Sequence, residues 1–241
     1  MTRQKIYSQL IFTNFSDGTT DPWVQHSIPN SGDLSVVDDP TGLPRKVMKS
    51  SINCSEDFST VPTIGHEPRA DVILNQPQYL LDTGKEYVYE ISTFIPSDLQ
   101  IETYDNNQHI IFQIHHYINS GSPPFSIIID KSNYTCAGSS DLNWSNRSYN
   151  YNLGSITNDL GRWVDWRVLY TPFYSRGGRV VVWKDNNIVL DYKGISAYRT
   201  TDCTKSYLVF GNYKWNWKTL PSSVIDLVTY YADVKLYKEV S

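Results

Sequence analysis

Gln108-His109-Ile110-Ile111-Phe112-Gln113-Ile114-His115-His116-Tyr117 reads as a β-strand with two unlike faces. Side chains two apart on a strand share a face. On a regular strand His109, Ile111, Gln113, His115 and Tyr117 point one way, and Ile110, Phe112 and Ile114 the other. The second set suits a core. The first set puts an amide, two imidazoles and a phenol on one surface, and such groups are costly to bury without partners. A second segment, Tyr207-Leu208-Val209-Phe210-Gly211-Asn212-Tyr213-Lys214-Trp215, has the same mixed character.

Outward from these two segments, apolar and polar residues keep alternating, and no long helical period appears. Residues 86–94 form a clear strand closed by Pro96. Gly121-Ser122-Pro123-Pro124 is a turn before a strand at 125–130. Residues 161–170 make another strand. Residues 178–184 and 188–192 flank Asp185-Asn186-Asn187 as a hairpin. Residues 207–214 and 227–237 close the set, and 9–12 and 46–52 are strand-like pieces in a less regular first quarter. Residues 132–160, rich in Asn, Ser and Tyr, read as a long loop or irregular hairpin. Many short strands with turns between them predict an all-β sandwich of two sheets, one domain spanning residues 1–241.

Composition narrows the partners. Hydrophobic residues make up 40% of the 241 positions and charged residues 19%, which excludes a disordered chain. A net charge of -4 argues against nucleic acid as the main partner. An anionic sugar polymer stays open, because only its binding cleft must be positive. The 18 Tyr and 7 Trp mostly serve a β-rich core, although flat rings also stack on sugars. Cys54, Cys136 and Cys203 allow at most one disulfide and suggest no zinc site. Met1-Thr2-Arg3-Gln4-Lys5 lacks the apolar run of a signal peptide, and no stretch has the length of a membrane span. The expectation is a soluble protein with no membrane partner, its compartment left open.

Five pieces in order carry a resemblance to a known family. They are Arg69-Ala70-Asp71, Gly84-Lys85-Glu86-Tyr87-Val88-Tyr89, Gln113-Ile114-His115, Gly161-Arg162-Trp163-Val164-Asp165-Trp166 and Gly211-Asn212-Tyr213-Lys214. Together, from about His66 to Tyr237, they resemble the polysaccharide lyase superfamily with a β-jelly roll, the heparin lyase I and glucuronan lyase group. The resemblance implies a concanavalin A-like two-sheet jelly roll with a concave substrate groove. It also implies β-elimination at a uronic acid. A base takes the C5 proton, the carboxylate is neutralised, and the 4-linked sugar leaves with a proton.

That chemistry assigns roles. Gln113 donates to the substrate carboxylate, as its family counterpart does, and Arg69 offers a fixed positive fork. An ion pair of Arg69 with Glu67 or Asp71 is the structural alternative, and the two can coexist. His115 suits the general base, because imidazole titrates near working pH. Tyr213 is the acid, or acid and base together. Each of these residues has a plainer reading as a packed or surface side chain. His66, Tyr117, Lys131, Lys214 and Trp215 are candidate substrate contacts. The heparin lyase branch has a lysine four residues before the tyrosine, where this chain has Val209. Either Arg69, Lys214 or Lys131 replaces it or the chain belongs to a branch that uses Gln and His instead, and an unsulfated polyuronate such as a glucuronan or a capsular polymer fits better than a sulfated one. The family's sandwiches often hold a structural calcium where first and last strands meet. Asp17 and Asp233 stand at the matching positions, with solvated turn and edge aspartates as the alternative. No organic cofactor is implied. Two other functions compete: a non-catalytic carbohydrate-binding jelly roll, and a glycoside hydrolase of lectin-like fold using paired carboxylates such as Glu86 and Glu90.

Overall fold

The computed structural model describes residues 5–26, 28–61, 67–116, 121–140, 147–198 and 205–240, with His26 and Arg147 described by backbone alone. Its strands are β1 (Ile6–Thr13), β2 (Val24–His26), β3 (Leu34–Asp38), β4 (Lys46–Asn53), β5 (Arg69–Leu74), β6 (Leu81–Asp82), β7 (Tyr87–Phe94) and β8 (His109–His116). They continue as β9 (Phe125–Asp130), β10 (Asn133–Ser139), β11 (Arg147–Ser155), β12 (Trp163–Thr171), β13 (Gly178–Lys184), β14 (Asn187–Gly194), β15 (Lys205–Tyr213) and β16 (Asp226–Val240). Two antiparallel sheets result. The first runs β14-β13-β12-β7-β16-β4-β3, with β1 on β16. The second runs β11-β10-β9-β8-β15-β5-β2, with β6 on β15. The predicted jelly-roll sandwich is the observed architecture.

Period-two patterning explains which faces meet. Along β12, Val164, Trp166, Val168 and Tyr170 are buried while Asp165 and Arg167 are exposed. Strand β5 buries Ala70, Val72 and Leu74 in the same shared core. That core runs from Ile11 to Leu236 and includes residues of both sheets. Residues 132–160, read as a long loop or irregular hairpin, form the second of these: β10 and β11 pair antiparallel with two register shifts. Their Asn- and Ser-rich sequence is that of strands near a sheet edge with one polar face, where side-chain polarity does not oppose pairing.

Bulges break the simple parity at the places that matter. Strand β8 carries one more residue than β9 between Ile110 and Phe112. Ile111 and Phe112 therefore both enter the core, and Ile110 joins Tyr213, Ile128 and Ala137 in a separate cluster on the other face. His109 and Ile111 consequently do not share a face with Gln113, as a regular strand would have required. The Ile111 carbonyl at this irregularity accepts the Tyr231 hydroxyl across the core at 3.0 Å. In β16 the register shifts between Ala232 and Lys235, and Asp233 adopts a positive φ of 52°.

A polar pin also joins the sheets. Asn212, with no exposed surface, donates its side-chain N–H to the Ser50 and Leu227 carbonyls and accepts from the Thr229 hydroxyl at 2.8 Å. Ser50 Oγ in turn donates to the Ala70 carbonyl at 2.7 Å and accepts from the Asn212 amide at 3.0 Å. Buried polar groups satisfied this fully fix one arrangement of the strands that carry them. Gly211, beside the pin, has φ +141°, and a Cβ there would lie 2.2 Å from the Ala70 carbonyl oxygen. Only glycine lets β15 approach β5 so closely. Among the described residues, no helix is long and apolar enough to cross a membrane.

Candidate active site

Three adjacent strands of the second sheet, β5, β15 and β8, present polar side chains on the face turned away from the core. With Ala70, Val72 and Leu74 inward, Arg69, Asp71 and Ile73 face out. With Leu208 and Phe210 inward, β15 presents Tyr207, Val209, Gly211 and Tyr213. The register sets Tyr213 beside Arg69 and Ile110, Gly211 beside Asp71, Val209 beside Gln113, and Tyr207 beside His115. The amide, imidazole and phenol singled out in the sequence thus share one face, His115 and Tyr213 towards its two ends.

Arg69 ties the row together. Its guanidinium lies 3.7 Å from the centre of the Tyr213 ring. Its Nη2 donates to Glu67 Oε2 at 3.0 Å, and its Nη1 is 3.7 Å from Asp71 Oδ2. Both of the ion pairs weighed for Arg69 therefore form. The Tyr213 hydroxyl donates to the same Glu67 oxygen at 2.5 Å. Burial works against the Arg69 charge, but Asp71, Tyr213 and Glu67 outweigh it and hold its pKa above the ordinary value. Burial raises the Tyr213 pKa, Arg69 opposes this and Glu67 reinforces it, so the phenol keeps its proton. The Arg69 charge also acts on His115, so one cation influences both ends of the row.

The His115 Nδ1 is 3.1 Å from the His116 carbonyl, which can only accept, so Nδ1 carries the hydrogen in this contact. Burial pushes its pKa down to about 4, backbone hydrogen bonds with His116 and Gly121 oppose that fall and Arg69 adds to it. Near neutral pH the imidazole is uncharged. Its ring stacks on His116 at 4.5 Å and lies 5.7 Å from Tyr207. Between the two ends, Gln113 is 3% exposed, and its Oε1 has no hydrogen-bond partner. This set can hold a carboxylate at Arg69 and Gln113, accept a proton at His115 and donate one at Tyr213.

The remaining expected contacts divide. Trp215 packs on the Tyr213 ring at 5.8 Å, at the flank of the row. Lys214 does not reach this face. It is fully buried, its Nζ 3.0 Å from Glu102 Oε2 and bonded to the Asn107 carbonyl, so it cannot meet a polymer. After Tyr213 the chain leaves the sheet, which carries Lys214 into the interior. Lys131 sits in the β9–β10 turn with φ 53°, paired with Asp105 at 2.6 Å, and not in the row. His66, Tyr117 and Cys203 lie outside the described residues.

The calcium residues are engaged otherwise. Asp233 pairs with Arg45 at 2.5 Å, and Asp17 accepts the Thr19 amide at 2.9 Å. Among the described residues no group of three or more His, Cys, Asp or Glu side chains is arranged to hold a metal. As these side chains stand they do not fit a calcium ion.

Glu67 as the acceptor of the Tyr213 hydroxyl, Asp71 and Tyr207 were not among the expected site residues. Asp71 and Tyr207 were within reach of strand parity, being two from Arg69 and two from Val209 on their faces. Nothing local signals the Glu67–Tyr213 bond, whose partners are 146 residues apart.

Comparison with known proteins agrees with the architecture. A family model described as polysaccharide lyase matches residues 15–235. No curated protein sequence matches significantly. Among solved structures, an endo-β-1,4-glucuronan lyase from the fungus Trichoderma reesei superposes with a TM-score of 0.72 at 15% identity, covering 95% of each chain. An alginate lyase from Pseudomonas aeruginosa gives a TM-score of 0.57 at 14% identity over 86% of each chain. The binding domain of a botulinum neurotoxin also superposes, with a TM-score of 0.58 at 13% identity, over 97% of this chain and 50% of that one. At these identities the likeness speaks for the fold alone.

Proposed function

The chain belongs to the polysaccharide lyase family, and from that premise we propose that it cleaves an unsulfated polymer containing uronic acid, of glucuronan type, by β-elimination. The observation that carries this reading is the shared outward face of Arg69, Gln113, His115 and Tyr213. Arg69 and the Gln113 amide neutralise the carboxylate on C5, which makes the C5 proton removable. His115 Nε2 takes that proton. The electrons of the C5–H bond form the C4=C5 double bond, the C4–O4 bond breaks, and the leaving oxygen takes the Tyr213 proton. The two protein groups then exchange protons with water to reset.

Assignment of the base to His115 follows from the two environments. The histidine is neutral, and the tyrosine is protonated and already donating. The Arg69 guanidinium over the ring stabilises the phenolate that forms. An unsulfated polymer suits a face where Val209 stands in place of a lysine and Lys214 is hidden. Trp215 at the flank offers a ring to a neighbouring sugar.

Mass spectrometry of products from a panel of polyuronates tests the reaction class. Elimination yields oligosaccharides lighter by one water than hydrolysis does. The expected product carries the C4=C5 double bond. Saturated products would support a hydrolase, and binding without cleavage a lectin-like module.

A further inference from the structure

Glu67 takes no part in the elimination, yet it occupies the two groups that the substrate needs. Its Oε2 accepts from Arg69 Nη2 at 3.0 Å and from the Tyr213 hydroxyl at 2.5 Å. In chemistry it is a carboxylate on the guanidinium that is to hold a carboxylate. In charge, Glu67 and Asp71 together outweigh Arg69, so these three side chains are net negative at the point where an anion must bind. Among the described residues, neither Lys214, buried against Glu102, nor Lys131, paired with Asp105, compensates. A uronate therefore meets repulsion unless one carboxylate leaves. The two differ in what leaving costs. The Asp71 side chain is 1% exposed, whereas that of Glu67 is 35% exposed and can turn into water.

We propose that Glu67 is an internal stand-in for the substrate carboxylate, displaced from Arg69 and Tyr213 when a uronate binds. The inference rests on the lyase reading above. It gives Glu67 two consequences. Displacement frees the Tyr213 hydroxyl to turn from Glu67 to the leaving oxygen, which couples binding to readiness of the acid. It also makes Glu67 a specificity-determining residue. A neutral sugar would have to break the Glu67–Arg69 pair without supplying an anion in return, and selectivity of this kind comes from a penalty on the wrong ligand.

The test compares wild type with Glu67→Gln, which keeps the shape and removes the charge. Two quantities are read: KM for glucuronan, and the inhibition constant of free D-glucuronate, with D-glucose as the neutral control. The expected result is a fall of about tenfold in both KM and the glucuronate constant, the size of one charge-assisted contact, together with a smaller preference for glucuronate over glucose. Glu67→Ala carries the same expectation should the amide variant fold poorly. Unchanged KM and inhibition in a folded, active variant would overturn the stand-in role and leave the lyase reading intact. A large loss of kcat at constant KM would overturn it also, by putting Glu67 in the proton path. A wild type that turns over no polyuronate would overturn the lyase reading and this inference together.

Discussion

His115 gives the sharpest prediction at the scale of a single residue. It must be uncharged to accept the C5 proton, and burial pushes its pKa down to about 4 from 6.5. Protonation therefore removes activity only as the pH falls through about 4, and kcat/KM should stay level well below 6.5. Tyr213 must be protonated, and burial lifts its pKa above 10, so the alkaline limb belongs above pH 10. A pH profile of kcat/KM checks both limbs, and an acid limb near 6.5 would mean that His115 is hydrated like a free imidazole. At this scale the sequence was a fair guide. The shared face of Gln113 and His115 followed from strand parity, and Arg69 and Tyr213 entered through motif order. Lys214 was not legible. Its burial depends on Glu102, 112 residues away, and on the chain leaving the sheet after Tyr213. If the ion pair is structural, Lys214→Ala should lower stability by about 3–5 kcal/mol, because Glu102 loses its buried countercharge. Thermal melting reads this, and a variant with native Tm and a raised KM would return Lys214 to the substrate.

Strand β15 is the element on which the site depends. Its outer side chains touch Arg69, Gln113 and His115, and its inner Asn212 pins it to the opposite sheet through Ser50, Leu227 and Thr229. Asn212→Ala should cost about 2–4 kcal/mol, since two carbonyls and a hydroxyl are left buried without it. Denaturant unfolding of that variant checks the figure, and a loss under about 1 kcal/mol would show that the pin is incidental. Parity explains what was readable in such elements. Strands β7, β12 and the β13–β14 hairpin follow the two-residue period, and their positions were evident. The bulge in β8 was not, because Ile110, Ile111 and Phe112 are all apolar and any register through them looks equally good. The polar composition of β10 and β11 left loop and irregular hairpin both open.

For the whole molecule, three histidines resist protonation in the folded state. Burial holds His109 at about 3, His115 at about 4 and His116 at about 3, against an ordinary 6.5. Each folded pKa lies below its unfolded value, so the unfolded chain binds protons first as pH falls. Stability should be complete above 6.5 and decline as the pH drops towards 4 and 3. Glu102, pulled down to about 2 by its hydroxyl, amide and Lys214 donors against the opposing effect of burial, adds a loss in the same direction below its ordinary 4.5. Urea midpoints between pH 7 and pH 4 read this slope, and a midpoint that holds constant would mean that the buried imidazoles are relieved of their desolvation. Sandwich architecture and family were visible from alternation and from motif order. The pairing of distant strands that gathers the site was not, since it rests on contacts between segments 90 or more residues apart.

The central claim is that the outward face of β5, β15 and β8 carries out an elimination. The most direct measurement is the initial rate of ultraviolet absorbance from C4=C5 unsaturated ends on glucuronan, for wild type, His115→Ala and Tyr213→Phe at equal folded concentration. A clear rate is expected for wild type and a loss of about a hundredfold or more in each variant, the contribution of a positioned acid or base. Wild-type rates in both folded variants would contradict it.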